Sequence, residues 1–139
     1  MELPLISHPA QADSDRLHPA EQTTKTGHLL LTAHSTCVPE RATALYTGSV
    51  DQTRWLWAAA TLHDFGKATP QFQEHVRPDE EYTGDNAEKN HARLGALATW
   101  FVLDRTDAPD RDCLAATLAV ARHHQALPNA AEYTSNTLI

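Results

Sequence analysis

The chain has 139 residues, with 18 acidic and 11 basic side chains and a formal net charge of −7. This length supports one hydrophobic core and is too short for two. We find no apolar run of the roughly 20 residues that a membrane-spanning helix needs, and we expect no signal peptide. The negative charge disfavours a protein that binds nucleic acid through a broad basic face.

The two cysteines point to a reducing environment. Cys37 and Cys113 lie far apart and in no metal-ligand spacing, which argues against a disulfide framework and a zinc ribbon. We expect both to behave as small buried residues in the cytoplasm.

The first part of the chain predicts an arm followed by a domain. Residues 1–25 contain three prolines and no periodicity, which predicts an extended N-terminal arm, with residues 26–139 as the folded domain. A helical pattern begins near Thr26, is interrupted at Pro39 and resumes as far as Tyr46.

The next helix is expected at the centre of the fold. Ser49 and Gln52 have capping-box spacing, and the helix after them, to about His63, is apolar on nearly every side. We expect the tryptophans to be core residues and not platforms for stacked bases: Trp55, Trp57 and Trp100.

Three more helical signals follow. Thr69 and Pro70 predict the start of a short helix that ends near Val76, and the acidic segment 77–89 predicts a solvated loop. Asn90 is expected to cap a helix to Leu103 whose apolar face carries His91, Leu94, Ala98 and Phe101. Asp110 is expected to cap a last helix that ends at His123 and His124. Since no segment alternates as a strand would, we predict an all-α helical bundle.

The chemistry is concentrated in histidines, of which the chain has nine. His63 is followed directly by Asp64, whose carboxylate has two oxygens with which to bridge two cations roughly 3.5–4 Å apart. Gly66 lets the backbone turn, so that the Lys67 ammonium can point back toward this carboxylate.

Other histidines extend this site. His123 and His124 lie about 100° apart around a helix axis and can approach a metal from adjacent directions. A site rich in imidazole with one carboxylate suits Mn, Fe, Co, Ni or Zn better than Mg or Ca.

These residues stand in a recognisable order: His28, then His63-Asp64-Phe65-Gly66-Lys67, then Asn90-His91-Ala92, then His123-His124-Gln125-Ala126-Leu127-Pro128. In this series, over roughly residues 28–129, the chain resembles the HD-domain nuclease of CRISPR type I interference, the nuclease part of the CRISPR-associated helicase–nuclease. The resemblance implies an HD-domain helical bundle that cuts single-stranded DNA and works with the CRISPR helicase and the guide-RNA surveillance complex.

The resemblance also implies roles for single residues. One divalent transition metal would be held by His28, His63 and Asp64. A second would be held by Asp64, His91, His123 and His124. Lys67 would contact the scissile phosphate or stabilise its charge, while a bridging water or hydroxide attacks the phosphodiester bond.

One departure from the family pattern concerns an acidic ligand. The family usually completes its first metal with an Asp well beyond the double histidine, and no Asp follows Asp112 here. We therefore expect that the C-terminal part of the domain is missing, that the metal at His91, His123 and His124 binds more firmly, and that nuclease activity is weak or absent.

Two other functions remain open: an HD phosphohydrolase acting on nucleotides, and a catalytically inert HD domain that serves as an interaction surface. His34 lies six residues after His28, about 240° around one helix, and is expected to be an ordinary helix residue. The three other histidines that are assigned no role in the site are expected at the surface: His8, His18 and His75.

Overall fold

The computed structural model describes residues 4–10, 22–77, 82–85 and 90–125. Within these ranges the chain is mostly helical, which confirms the predicted all-α bundle. The helices are α1 (Leu31–Leu45), α2 (Val50–Leu62), a 3-10 helix (Phe65–Ala68), α3 (Pro70–Val76), α4 (His91–Leu103) and α5 (Asp110–Ala121). None of these helices is long and apolar enough to span a bilayer.

A small antiparallel sheet joins the beginning of the chain to this bundle. Strand β1 (Ile6–His8) pairs with β2 (Leu29–Leu30), with Ile6 opposite Leu30 and His8 opposite Leu29. Sequence reasoning missed both strands because two or three residues are too few to show an alternating pattern. The Ile6 side chain is buried and packs with Phe72 and Val76, so β1 is anchored to α3.

Two predicted helix starts are confirmed. The Ser49 hydroxyl accepts a hydrogen bond of 3.2 Å from the backbone N–H of Gln52 at the start of α2. The Thr69 hydroxyl accepts one of 3.3 Å from the N–H of Phe72, with proline at the first position of α3. Both caps depend on contacts within three residues, which is why the sequence shows them.

Other helix boundaries differ from the prediction. Helix α1 begins at Leu31 and runs through Pro39 without a break; the proline is fully buried, and its packing offsets the backbone hydrogen bond that the ring removes. Asn90 precedes α4 but makes no capping hydrogen bond with its side chain. Pro109, not Asp110, is the N-cap of α5, and Asp110 lies in the first turn.

The centre of the bundle is α2, which packs against α1, α4 and α5. One core cluster contains Trp55, Leu103 and Cys113; another contains Ala59, Ala96 and Val120. The alanines in the second cluster let the helix axes come close. The core prediction is confirmed for Trp55.

The apolar face predicted for α4 is wrong for Leu94 and Phe101, whereas His91 on that face is largely buried, with its side chain 11% exposed. The residues that α4 buries are mostly small: Ala92, Gly95, Ala96, Thr99 and Leu103. Leu94 is 42% exposed and Phe101 58% exposed. Trp57 and Trp100 are also exposed, at 44% and 38%. Close packing of the helices selects small side chains at the contact and leaves the larger ones outside.

Several predictions fall on other parts of the chain. His18 and most of the acidic segment 77–89 lie outside the described residues. The boundary between the N-terminal arm (residues 1–25) and the folded domain (residues 26–139) stays a prediction.

Candidate metal centre

Two glycines bring the turn after α2 against α4. A Cβ atom at Gly66 would lie 2.5 Å from the carbonyl oxygen of His91, and one at Gly95 would lie 2.4 Å from the carbonyl oxygen of His63. Both distances are far inside van der Waals contact, so any larger residue would separate the two segments. This close crossing places Asp64 beside the first turn of α4.

The carboxylate of Asp64 is the centre of the site and is 1% exposed. Its Oδ2 atom lies 2.8 Å from Lys67 Nζ, 3.2 Å from His34 Nε2 and 3.4 Å from His63 Nε2. The hydroxyl oxygen of Ser7 also lies 3.4 Å from Oδ2. One oxygen atom thus faces two imidazoles, an ammonium and a hydroxyl.

The other oxygen, Oδ1, faces the ends of α4 and α5. It lies 3.2 Å from His91 Nε2 and 3.5 Å from His123 Nε2. His124 joins this side because its Nε2 atom lies 2.8 Å from Nε2 of His91. Partial burial of the ring, followed by the charge of His123, lowers the pKa of His124, although the residue as a whole is exposed. The lowered pKa favours the neutral imidazole that a metal requires.

Backbone contacts determine which nitrogen of two histidines carries the proton. His63 Nδ1 lies 2.7 Å from the carbonyl oxygen of Ala60, and His123 Nδ1 lies 2.6 Å from that of Val120. A carbonyl only accepts, so both Nδ1 atoms donate, and in the neutral rings both Nε2 atoms present lone pairs.

These lone pairs point at another acceptor. Within the described part of the chain, neither Asp64 Oδ1 nor His123 Nε2 has a hydrogen-bond partner, although both are buried. Acceptors that face each other in a buried site cost free energy unless a cation lies between them. The donor set therefore fits a metal.

The charge states of Asp64 and His63 also fit a bound metal ion. Burial by itself would raise the pKa of Asp64. The neighbouring groups of His34, His91 and Lys67 outweigh it and hold that pKa well below its usual range. Burial lowers the pKa of His63, although Asp64 partly opposes this. An ionised carboxylate beside a neutral imidazole is the state in which both bind a divalent cation.

Two groups of residues in the described chain could hold a metal ion. One has four members: Asp64, His91, His123 and His124. The other has three: His34, His63 and Asp64. Within each group the ligand atoms lie within 4.8 Å of one another, and Asp64 belongs to both.

Most of the residues predicted from the sequence are brought together here: His63, Asp64, Lys67, His91, His123 and His124. His28 is not. Its Nδ1 atom accepts a hydrogen bond of 2.9 Å from the backbone N–H of Ala10, and His34 occupies the place expected for it. The prediction treated both histidines as parts of one helix, whereas α1 begins only at Leu31. One pattern could have indicated that His34 faces the interior: it lies three residues after the apolar Leu31, which is buried, and residues at this spacing share a helix face.

Sequence reasoning also missed Ser7 and His8. His8 was expected at the surface; it is exposed, but its Nε2 atom lies 3.3 Å from Lys67 Nζ. Partial burial of the ring, followed by the charge of Lys67, lowers the pKa of His8 to about 4. The sequence carries no signal for this contact because the two residues are 59 positions apart.

A helical bundle in which a His-Asp pair meets further histidines on one buried carboxylate is an HD domain. The chain belongs to the Cas3 HD-domain family: the family model described as "Cas3, HD domain" matches residues 16–138. This confirms the resemblance to a CRISPR-associated HD nuclease.

The CRISPR-associated nuclease/helicase Cas3 of Haloferax volcanii is 65% identical over 138 residues. That alignment covers 99% of this chain and 14% of the relative, so the chain spans a small part of the relative's length. No solved structure matches the chain.

Proposed function

We propose that this domain hydrolyses phosphodiester bonds of single-stranded DNA in CRISPR interference, with two divalent cations. The observation that carries the proposal is the buried carboxylate of Asp64, with imidazole nitrogens facing both of its oxygens and with no hydrogen bond to Oδ1 within the described chain. Membership of a CRISPR-associated nuclease family supports the same reaction.

The residues fit divalent transition metals, namely Mn, Ni, Co, Fe or Zn, because imidazole is the dominant donor. The four-member group would hold one cation and the three-member group the other, with Asp64 shared. Bound cations would polarise the phosphoryl group and activate the attacking water. One or two such cations per chain would supply the Lewis acidity that the side chains alone lack.

The protein's own residues prepare this site. The carbonyls of Ala60 and Val120 orient the rings of His63 and His123, so that both Nε2 atoms are aimed before any cation arrives. Lys67 compensates the charge of Asp64 and is itself 2% exposed. In our proposal it contacts the scissile phosphate only by exchanging one of its present partners.

The charge of the domain suggests how the DNA arrives. With a net charge of −7, the domain offers few cations for phosphate contacts, which supply most non-specific affinity for DNA. We propose that a CRISPR helicase delivers the strand, that the guide-RNA surveillance complex selects the target, and that this takes place in the cytoplasm.

The test is cleavage of a labelled single-stranded oligonucleotide with Mn²⁺ or Ni²⁺. The matched pair His34→Ala and His28→Ala separates the histidine at the site from the one that the family pattern suggested. We expect His34→Ala and Asp64→Asn to abolish cleavage and His28→Ala to leave it unchanged. Equal rates for the two histidine variants would contradict the proposed ligand set.

The two alternatives are separated in the same assay. Faster metal-dependent hydrolysis of mononucleotides or cyclic dinucleotides than of DNA would favour an HD phosphohydrolase. Wild-type protein that binds metal but is as inactive as Asp64→Asn on every substrate would favour an inert interaction domain.

A further inference from the structure

Strand β1 reaches the site from a part of the chain that precedes residues 16–138, which the family model matches. The Ser7 side chain is 1% exposed, and its oxygen lies 3.4 Å from both Asp64 Oδ2 and Lys67 Nζ. His8 Nε2 lies 3.3 Å from Lys67 Nζ, and His8 Nδ1 lies 3.0 Å from the Ser7 oxygen. We infer that β1 is a working part of the site: Ser7 and His8 are positioning residues that hold the Lys67 ammonium beside Asp64. This inference rests on the proposed function.

The direction of each hydrogen bond in this network follows from the groups themselves. An ammonium only donates, so His8 Nε2 must accept from Lys67. The ring proton of His8 then lies on Nδ1, which donates to the Ser7 oxygen. The Ser7 hydroxyl proton remains for Asp64 Oδ2. These four side chains form a closed ring of hydrogen bonds, and the three protons of the buried ammonium are directed to Asp64, Ser7 and His8.

Gln73 anchors the strand that carries this network. Its side chain is 6% exposed. The amide oxygen accepts from the backbone N–H of Ile6 at 2.9 Å, and the amide nitrogen donates to the carbonyl of Ile6 at 2.8 Å and to that of Lys67 at 2.8 Å. One side chain thus ties β1 to the 3-10 helix, so the distance between Ser7 and Lys67 depends on Gln73.

Loss of this anchor should act on rate more than on substrate binding. The ammonium would keep its ion pair with Asp64 but lose the two contacts that define its direction. Removal of groups that orient a metal ligand typically lowers activity by about 10–100-fold. Because neither Ser7 nor Gln73 is exposed to a substrate strand, we expect the change in kcat and little change in KM.

The experiment compares Ser7→Ala and Gln73→Leu with Gln71→Leu, the same substitution at an exposed position of the same helix. In the metal-free chain, nitrogen NMR of the His8 ring should show the proton on Nδ1 in wild type and in Gln71→Leu. Gln73→Leu should lose this signature because it releases β1 from Lys67, whereas Ser7→Ala should keep it because His8 Nε2 still accepts from Lys67. With Mn²⁺ and single-stranded DNA, both should lower kcat about 10-fold or more at a KM within about twofold of wild type.

A proton on Nε2 of His8 in wild type would overturn the inference, as would a Ser7→Ala variant with the kcat of Gln71→Leu. If Gln73→Leu does not fold, Ser7→Ala decides. If wild type cleaves no DNA with any metal, the proposed function fails, and the ring proton of His8 alone decides whether β1 orients Lys67.

Discussion

Gly95→Ala tests the close crossing of α2 and α4 on which the site depends. In an ordinary helix interior this change stabilises by about 1 kcal/mol, because alanine is the better helix former. Here the new Cβ would lie 2.4 Å from the carbonyl oxygen of His63 and 2.8 Å from that of Leu62. Both are backbone atoms that cannot turn away, so we expect the opposite sign.

The magnitude follows from the geometry. The two segments must separate by about 1 Å before the added carbon reaches ordinary contact. Overpacking of this kind typically costs about 1–3 kcal/mol, or roughly 3–10 °C in Tm for a chain of this size. His91 lies one helical turn before Gly95, so its 3.2 Å approach to Asp64 lengthens as well. Because metal–ligand distances tolerate only about 0.2 Å, we expect at least about a tenfold loss of metal affinity.

Thermal unfolding and calorimetric titration with Ni²⁺ measure the two effects. Leu97→Ala, on the exposed side of the same helix, is the control. It should change Tm and Ni²⁺ affinity little, since Leu97 is 65% exposed. A Gly95→Ala protein that is more stable than wild type and binds Ni²⁺ equally well would refute the reasoning.

Two further predictions concern Asp64 and its partners. In the metal-free chain, Asp64→Asn leaves the buried ammonium of Lys67 without its anion, and it should lower the free energy of unfolding by about 3–5 kcal/mol, as measured by urea unfolding. The double variant Asp64→Asn/Lys67→Met should recover a part of this loss. A double variant less stable than Asp64→Asn alone would contradict the pairing. Metal titration should show a tighter binding step at the four-member group and a weaker one at the three-member group. His124→Ala should weaken the tighter step, and His34→Ala should weaken the other. Two binding steps of equal affinity would count against this order.

Features that depend on near neighbours could be read from the sequence. The caps at Ser49 and Thr69 are contacts within three residues, and the His63-Asp64 pair with Lys67 lies in one turn. The order of these residues with His91, His123 and His124 identified the family. Such patterns survive folding because each is determined by local backbone geometry.

The tertiary structure decided the contacts between distant segments. The choice of His34 over His28 depends on where β2 ends and α1 begins, and two residues of strand are invisible to periodicity. Ser7 meets Asp64 across 57 positions because Gln73 and the packing of Ile6 hold β1 in place. The sequence by itself determined the chemistry of the donors; packing decided which of them share one carboxylate, since that depends on how closely the segments can approach.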